Sequence, residues 1–199
     1  MDNKHTLAAI FSMGIKGETA DARGLAKRLG LTPEEAAKEF RQLTTAGMVK
    51  LHGKSAKLTA KGRRTIRVVF IGGGFELIHY GHVYTISKAK SLGDVLVVSV
   101  ARDSTIRKRK KREPLVNEGD RVRLLSSLRD VDAAILGVEG DIYVTLQKVN
   151  PDIVALGYDQ YHMEDEIKGE AEKRGMKLKV VRLDSPYPNI KTTKILSEL

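Results

Sequence analysis

The sequence contains no cysteine and no tryptophan, and only 5% of its 199 residues are aromatic. Without cysteine the chain can form neither disulfides nor thiolate metal sites, and it has no thiol nucleophile. The shortage of aromatic side chains argues against a broad stacking platform for single-stranded nucleic acid. No apolar run approaches the roughly 18 residues of a membrane-spanning helix, and the N-terminal stretch lacks a signal-peptide pattern. We therefore expect a cytoplasmic protein that does not enter a membrane.

Positive charge is plentiful but unevenly distributed. Residues 1–65 carry 13 Lys and Arg against 6 Asp and Glu, whereas residues 66–199 carry 22 against 19. Six of those 22 form one uninterrupted basic run, residues 107–112, which we predict to be a loop. Without this run the second part would have a net charge of −3. The pattern favours partners that bear phosphate, at both the first third of the chain and the basic run.

The first third of the chain has the pattern of three helices followed by a hairpin. Apolar residues recur at helical spacing in each predicted helix, and Thr32-Pro33-Glu34-Glu35 is a capping box at the start of the third. Two short strands, 48–51 and 56–59, flank the turn 52–55. This order predicts a winged helix-turn-helix domain over residues 1–64. Its outward basic and polar residues would face DNA, with the third helix in the major groove and the wing on the backbone: Lys38, Arg41, Gln42, His52, Lys54 and Lys57. A protein-binding or dimerisation role for the same fold stays open.

From about residue 66 the hydrophobic pattern changes to buried strands that alternate with helices. The predicted strands are 66–71, 95–100, 133–136, 153–156 and 178–181, and predicted helices separate them. Such alternation predicts an α/β domain over 66–199, a Rossmann-like parallel sheet of about five strands, joined to the first domain by the short linker 63–65. Ligands bind at the carboxyl ends of the strands in these sheets, so the loops after residues 71, 101 and 157 should meet in one site.

The residues best suited to chemistry follow the first of these strands. Three glycines, 72–74, let the backbone approach a phosphate closely. His79 and His82 lie three residues apart at the start of a predicted helix, so both imidazoles can lie on one face. The helix N-terminus adds unpaired N–H donors and a partial positive charge. Together these features predict an anion site. Zinc ligation by the histidine pair is the weaker alternative, because only Glu76 offers a carboxylate nearby.

Several segments resemble the cytidylyltransferase-like nucleotidyltransferases. Residues 73–82 (GGFELIHYGH) are similar to the family's GTFDxxHxGH motif, and residues 190–195 (IKTTKI) to its ISSTK motif. Residues 129–132 (RDVD) resemble the family's RxVD stretch. Residues 100–103 (VARD) and 156–160 (LGYDQ) look most like the archaeal FAD synthases of this group. The resemblance covers essentially the whole second domain.

The resemblance implies a reaction in which a phosphate attacks the α-phosphate of a nucleoside triphosphate and pyrophosphate leaves. ATP and FMN would be the substrates, FAD the product, and Mg²⁺ or another divalent cation would accompany ATP without protein ligands. The catalytic residues implied are His79 and His82, which would donate to the α-phosphate oxygens as charge develops, and Lys194, which would help to hold the β- and γ-phosphates. The nucleotide-binding residues implied are Gly73, Gly74, Phe75, Tyr80, Gly81, Lys111, Arg129, Asp132, Asp159, Thr192 and Thr193. Tyr187 is a candidate for stacking on a base or a flavin.

Three positions depart from the family motifs. Gly74 stands where the motif has threonine, Glu76 where it has aspartate, and Lys191 where it usually has serine. These departures keep open a transcription regulator whose transferase domain senses a nucleotide with little or no turnover. A CTP-dependent glycerol-3-phosphate cytidylyltransferase is the other alternative, although residues 185–190 lack the arginine that those enzymes carry. A homodimer is a further expectation from the family.

Overall fold

The computed structural model describes residues 3–53, 55–160, 163–187, 189–190, 192 and 195. The chain divides into two compact units, Met1–Arg67 and Val68–Leu199. Among the described residues, every helix falls short of the length and apolar character that crossing a membrane requires.

The first unit consists of helices and one hairpin, in the order expected from the sequence. Its elements are α1 (Asn3–Lys16), α2 (Ala22–Leu29), α3 (Pro33–Thr45), β1 (Val49–His52), β2 (Ser55–Leu58) and α4 (Ala60–Thr65). Strands β1 and β2 pair antiparallel. Most of the apolar residues that define the predicted inward faces are buried: Leu7, Ile10, Leu25, Ala26, Ala36, Phe40 and Leu43. Phe11 and Leu29, which belong to the same faces, are half-buried. The helices and hairpin are thus confirmed, and the assignment of this unit to the winged helix-turn-helix fold stays a prediction.

Local sequence signals explain where these helices begin and end. Asp21 caps α2 by accepting a hydrogen bond of 2.7 Å from the Gly24 amide. At the start of α3, Thr32 and Glu35 form the predicted capping box, in which each side chain accepts from the other residue's backbone N–H. Gly30 ends α2 in the left-handed conformation, with φ of 67°, which glycine adopts without a steric penalty.

Helix α4 corrects the prediction of a linker over residues 63–65. Thr59 caps this helix by accepting from the Gly62 amide, and Arg63 and Arg64 lie in its last turn. The helix packs closely on the residue before β1, because a Cβ atom added to Gly62 would lie 2.1 Å from the Met48 carbonyl oxygen. The sequence AKGRRT is short and polar and has no hydrophobic periodicity, so the pattern does not predict the helix. The helix is recognised only from this packing and from its N-cap.

We expect Gly62→Ala to destabilise the first unit by about 1–3 kcal/mol, because the added methyl group must displace backbone. The matched control is Gly14→Ala in α1, where nothing lies within 4 Å of the added Cβ. There alanine should stabilise by up to about 1 kcal/mol through helix propensity. Urea unfolding followed by far-UV circular dichroism measures both changes. Equal midpoints for the two variants would contradict the packing argument.

The second unit is built on a five-stranded parallel sheet, which confirms the predicted α/β architecture. Its strands are β3 (Val68–Gly73), β4 (Val95–Val100), β5 (Ala133–Leu136), β6 (Ile153–Leu156) and β7 (Lys179–Arg182), in the spatial order β5-β4-β3-β6-β7. All neighbours pair parallel. The strand order reverses between β3 and β6, and such switch points are where doubly wound sheets bind ligands.

Helices connect these strands and carry the residues that shape the site. They are α5 (Tyr80–Lys90), α6 (Asp103–Lys110), α7 (Glu118–Ser126), α8 (Ile142–Val149) and α9 (Glu164–Lys173). The basic run was predicted to be a loop, and this is wrong for residues 107–110, which form the last turn of α6. Cations there lie at the negative end of the helix dipole, and Asp103 lies at its positive end, so both stabilise the helix.

Candidate active site

A pocket of about 260 Å³ lies at the switch point between β3 and β6. The glycine loop, residues 72–74, forms one wall, and the start of α5 forms another. The predicted site residues that line it are Gly73, Gly74, Phe75, His79, Gly81, His82, Asp159 and Thr192. Tyr187 lines it as well. The loops after β3 and β6 therefore meet here as predicted. The loop after β4, which begins at Ala101, instead lines a neighbouring cavity that shares the glycine loop.

The two histidines stack against each other inside this pocket. Their ring centroids are 3.9 Å apart, and the ring of Phe75 lies 5.4 Å from that of His82. The Nδ1 atom of each imidazole is buried and has no hydrogen-bond partner among the described residues. A buried polar atom without a partner is costly unless a ligand satisfies it. The pair is therefore arranged to receive a polar group that enters the pocket.

Burial keeps both imidazoles neutral. It lowers the pKa of His82 to about 4, with His79 nearby as the next cause. The pKa of His79 is also lowered by burial, against an opposing effect of the Asp159 carboxylate. The environment therefore disfavours the charged form until a negative charge enters. A phosphate beside the rings would supply that charge and raise both pKa values.

The lowered pKa of His82 makes stability depend on pH. Between pH 6.5 and 4, His82 binds a proton more readily in the unfolded chain than in the folded one. The free energy of unfolding therefore decreases as the pH falls through this window, by at most about 1.36 kcal/mol per pH unit for this residue. We expect the free energy of unfolding of His82→Gln to depend less on pH between pH 6.5 and 4, because glutamine does not titrate. Urea unfolding at half-unit pH steps measures it, and His52→Gln on the exposed hairpin is the matched control. Identical slopes for His82→Gln and the unmodified chain would contradict the prediction.

The glycine loop is held in place through its carbonyl groups. Gln160 donates to the carbonyl of Gly72 at 2.7 Å, the Ala101 amide to that of Gly73 at 2.9 Å, and Arg121 to that of Gly74 at 2.6 Å. Because each peptide unit is planar, fixing a carbonyl also fixes the N–H of the next residue. Three separate elements thus orient the backbone donors of the loop.

Glu76 anchors the end of the basic run beneath the pocket. Its side chain is fully buried and forms ion pairs with Lys110 and with Arg112, the latter at 2.7 Å. Burial alone would raise the pKa of this carboxyl group, but the hydrogen bonds from Arg112, Lys110 and the Leu115 amide lower it to about 2. Glu76 is one methylene longer than the aspartate of the family motif, and in this chain it pairs with Lys110 and Arg112.

The motif departure at Gly74 leaves open space. A Cβ atom there would meet only Ile106, at 4.0 Å. A Cβ atom therefore has room here, and the packing around this position does not require glycine.

Tyr80 lies at the rim of the pocket rather than in its lining. It is 58% exposed, and its ring makes an edge contact of 4.9 Å with the ring of Tyr187.

Lys111 lines the neighbouring cavity, in a left-handed conformation with φ of 54°. Thr193 and Lys194, like Lys191, lie outside the described residues.

Two predicted nucleotide-binding residues, Arg129 and Asp132, do not line the pocket. The Arg129 side chain is 96% exposed and its nearest ion pair is with Asp130, at 3.7 Å. Asp132 precedes β5 and accepts hydrogen bonds from Lys90 and from the Leu96 amide at 2.7 Å, at the amino ends of the strands. The ligand pocket lies at the opposite, carboxyl ends. Asp132 thus ties α5 and β4 together, because its carboxylate satisfies a strand amide.

Arg121 is a site residue that sequence reasoning missed. Its side chain is fully buried, and besides Gly74 it donates to the Val116 carbonyl at 2.9 Å and to Asp103 at 2.6 Å. A charged residue in an amphipathic helix is normally assigned to the solvent face, so the pattern gave no signal for it. Gln160 was quoted only within a motif, and its link to Gly72 required the fold.

The second cavity is larger, at about 930 Å³, and lies beside the first. The two share residues 72–74 and Gln160. Helix α6 forms a cationic side of this cavity, and α8 and β6 contribute apolar side chains. Two ligands could therefore reach the glycine loop from adjoining spaces.

Known proteins share the sequence and fold of the second unit. The cytidylyltransferase-like family matches residues 70–198. The FAD synthase of Aciduliprofundum boonei is 50% identical over 115 residues, 58% of this chain and 76% of the relative. The FAD synthase of Thermococcus onnurineus is 44% identical over 140 residues, 69% of this chain and 93% of the relative. The crystal structure of the lipopolysaccharide core biosynthesis protein from Thermoplasma volcanium GSS1 is 43% identical, with a TM-score of 0.58, and the match covers 60% of this chain and 98% of that one. The resemblance read from the motifs is thereby confirmed: this chain belongs to the cytidylyltransferase-like family, alongside the archaeal FAD synthases.

Proposed function

We propose that this chain is an FMN adenylyltransferase, which transfers AMP from ATP to the phosphate of FMN and releases pyrophosphate. The observation that carries the proposal is the pair of buried imidazoles with unpartnered Nδ1 atoms, beside a glycine loop whose carbonyls are all held. The identity to proteins named FAD synthase supports the choice of ATP and FMN.

The reaction needs positioning and charge stabilisation more than a base. An oxygen of the FMN phosphate attacks the α-phosphorus of ATP, the new P–O bond forms, and the bond between the α-phosphorus and the bridging oxygen to the β-phosphorus breaks. The attacking phosphate is already ionised at neutral pH, so no side chain has to remove a proton. Catalysis therefore comes from holding the two phosphates in line and from stabilising the charge that develops in the transition state.

His79 and His82 stabilise that charge by donating to oxygens of the α-phosphate. The incoming triphosphate raises the pKa of both imidazoles, because a nearby negative charge favours the protonated form. Protonated rings donate from both nitrogens, which satisfies the buried Nδ1 atoms. The Phe75 amide, oriented by the hydrogen bond of Arg121 to Gly74, is a further donor to the nucleotide.

Thr192 and Asp159 also line the pocket. As the family resemblance implies, Thr192, Thr193 and Lys194 would hold the β- and γ-phosphates, and Asp159 would contact the nucleotide. Lys111 approaches the phosphates from the neighbouring cavity, which it lines. No group of three or more His, Asp or Glu in the described ranges could hold a metal ion. A divalent cation such as Mg²⁺ would therefore enter on the phosphates of ATP, where it neutralises their charge.

The test is pyrophosphate release by the purified chain with Mg²⁺, with ATP or CTP crossed against FMN or glycerol 3-phosphate. We expect release with ATP and FMN alone, together with FAD detected by chromatography. Release confined to CTP and glycerol 3-phosphate would overturn the proposal in favour of a cytidylyltransferase. Nucleotide binding without turnover in any combination would favour a regulator that senses its ligand.

A second function, DNA binding by the first unit, rests on the exposed faces of α3 and the hairpin. Lys38, Arg41 and Gln42 are exposed on α3, and His52 and Lys57 are exposed on the hairpin. Lys54 lies outside the described residues. Leu51, at 56% exposure, adds an uncovered apolar side chain to β1. We propose that this face binds duplex DNA and couples flavin nucleotide metabolism to transcription.

Binding of the full chain to a fluorescent duplex from upstream of its own gene tests this second function. We expect the affinity to fall steeply with salt, and the double variant Lys38→Glu, Arg41→Glu to reduce the log–log salt slope by about 2. The matched control reverses two exposed lysines of the second unit, Lys148→Glu and Lys177→Glu. Absence of binding at low salt, or an equal loss in the control, would refute DNA binding by this face.

A further inference from the structure

The larger cavity has two chemically different sides. Lys108, Arg109, Lys110 and Lys111 on and after α6 make one side cationic. The other side combines apolar side chains with carboxylates: Phe70, Val154 and Leu156 from the sheet, Ile142 and Leu146 from α8, and Glu139, Asp141 and Glu166. A molecule that fits must therefore be flat or apolar at one end and anionic at the other. The shared glycine loop brings the anionic end next to the histidine pair.

One aromatic ring lines the apolar side and is held rigidly. The guanidinium of Arg174 lies 5.0 Å from the centroid of the Tyr143 ring. Glu166 lines the same cavity as this ring. Arg174 is itself fixed by Glu170, at 2.5 Å, and by Asp141, at 3.3 Å. The ring is thus immobilised before any ligand arrives, which reduces the entropy lost when a ligand stacks on it.

The charge on this side also favours a ring that carries hydrogen-bond donors. Glu166 lines the cavity beside Tyr143, and Glu139 and Asp141 line its edge. These carboxylates disfavour a phosphate here and offer acceptors to ring N–H groups. The phosphate of the same ligand is favoured some distance away, at the cationic side.

We propose that Tyr143 is the residue that selects the acceptor, by stacking on the heteroaromatic ring of a phosphate ester whose phosphate lies toward α6. The inference rests on the proposed function, since it places FMN in the larger cavity and ATP in the smaller pocket. FMN matches the two sides of the cavity, because its flat ring carries an N–H group and its phosphate lies on a flexible chain. Stacking on an aromatic side chain is worth about 10-fold in affinity, so its loss is measurable.

The test is equilibrium binding without turnover. FMN is titrated with the unmodified chain and its variants in the absence of ATP, and quenching of flavin fluorescence gives the Kd. The variants are Tyr143→Leu, which removes the ring, and Tyr143→Phe, which keeps the ring but not the hydroxyl. The matched control is Val144→Ala, because Val144 is on the same helix and is 41% exposed. ATP binding is measured separately by calorimetry.

We expect Tyr143→Leu to raise the Kd for FMN about 10-fold and to leave the Kd for ATP within about 2-fold. Tyr143→Phe and Val144→Ala should bind FMN like the unmodified chain. Riboflavin, which lacks the phosphate, should bind more weakly and with less dependence on salt than FMN. Thermal unfolding of each variant verifies that the fold is retained, and the ring-preserving Tyr143→Phe variant keeps the test informative if Tyr143→Leu unfolds.

Several results would overturn the inference. An unchanged Kd for FMN in a folded Tyr143→Leu variant, or an equal loss of ATP affinity, would exclude Tyr143 from acceptor selection. If Tyr143→Leu unfolds, weak FMN binding by Tyr143→Phe would refute stacking as the basis. If FAD forms equally well with and without the Tyr143 ring, only this inference is overturned. If FMN binding depends on Tyr143 but no FAD forms, only the proposed function is overturned. No FMN binding by the unmodified chain overturns both.

Discussion

His82→Ala is expected to form FAD about 100- to 1,000-fold more slowly than the unmodified chain, the usual cost of removing one group that stabilises transition-state charge. The ring lies 3.9 Å from His79 and its Nδ1 atom has no partner in the described part of the pocket. Alanine removes this donor at the point where negative charge develops. The loss should therefore appear in kcat rather than in the KM for FMN, because the interaction strengthens only in the transition state.

Steady-state FAD formation over a range of FMN concentrations, with ATP saturating, measures this effect. Val83→Ala is the matched control, since Val83 follows His82 on α5, is 38% exposed and does not line the pocket. It should keep kcat within about 2-fold, as surface substitutions usually do little. A His82→Ala variant with kcat within 10-fold of the unmodified chain, and with an unchanged thermal transition, would remove His82 from the catalytic groups.

The bounds of β4, β5 and β6 match the prediction to the residue, whereas the central strand β3 lies two residues later than the predicted 66–71. Strands β5 and β6 are continuous apolar runs between an aspartate and a glycine, and β4 is apolar except for Ser99, the pattern typical of strands buried on both faces. The parallel order then follows from the helices between them. The position of the ligand pocket follows in turn, since the carboxyl ends of parallel strands lie at one edge of the sheet.

Contacts between distant charged residues could not be predicted in the same way. Glu76 pairs with residues 34 and 36 positions away, and a run of six basic residues does not disclose which of them turns inward. The helix over 103–110 was missed because four of its eight residues are Lys or Arg and its apolar face is reduced to Ile106. Asp132 matched a family motif, but motif similarity does not indicate at which end of the strand its side chain acts.

Arg121 shows how a charged residue can be the centre of a buried network. Its guanidinium joins three segments that are distant in sequence: the Gly74 carbonyl in the glycine loop, Asp103 at the start of α6, and the Val116 carbonyl before α7. The Asp103 side chain is only 18% exposed and forms an ion pair of 2.6 Å with this guanidinium. The same guanidinium thus orients the loop donors and fixes the start of the basic helix.

Arg121→Met is therefore expected to lower the free energy of unfolding by about 3–5 kcal/mol, because it leaves a largely buried carboxylate and two carbonyls without their donor. All six tyrosines of the chain lie at residue 80 or beyond, so tyrosine fluorescence in urea reports on the second unit. The matched control is Arg123→Met, two residues along α7, whose side chain is 85% exposed. Its ion pair with Asp120 is at the surface, so the change there should stay within about 1 kcal/mol. Equal effects in the two variants would contradict this prediction, because they would show that Arg121 does not hold the Gly74 carbonyl and Asp103 at a cost in stability.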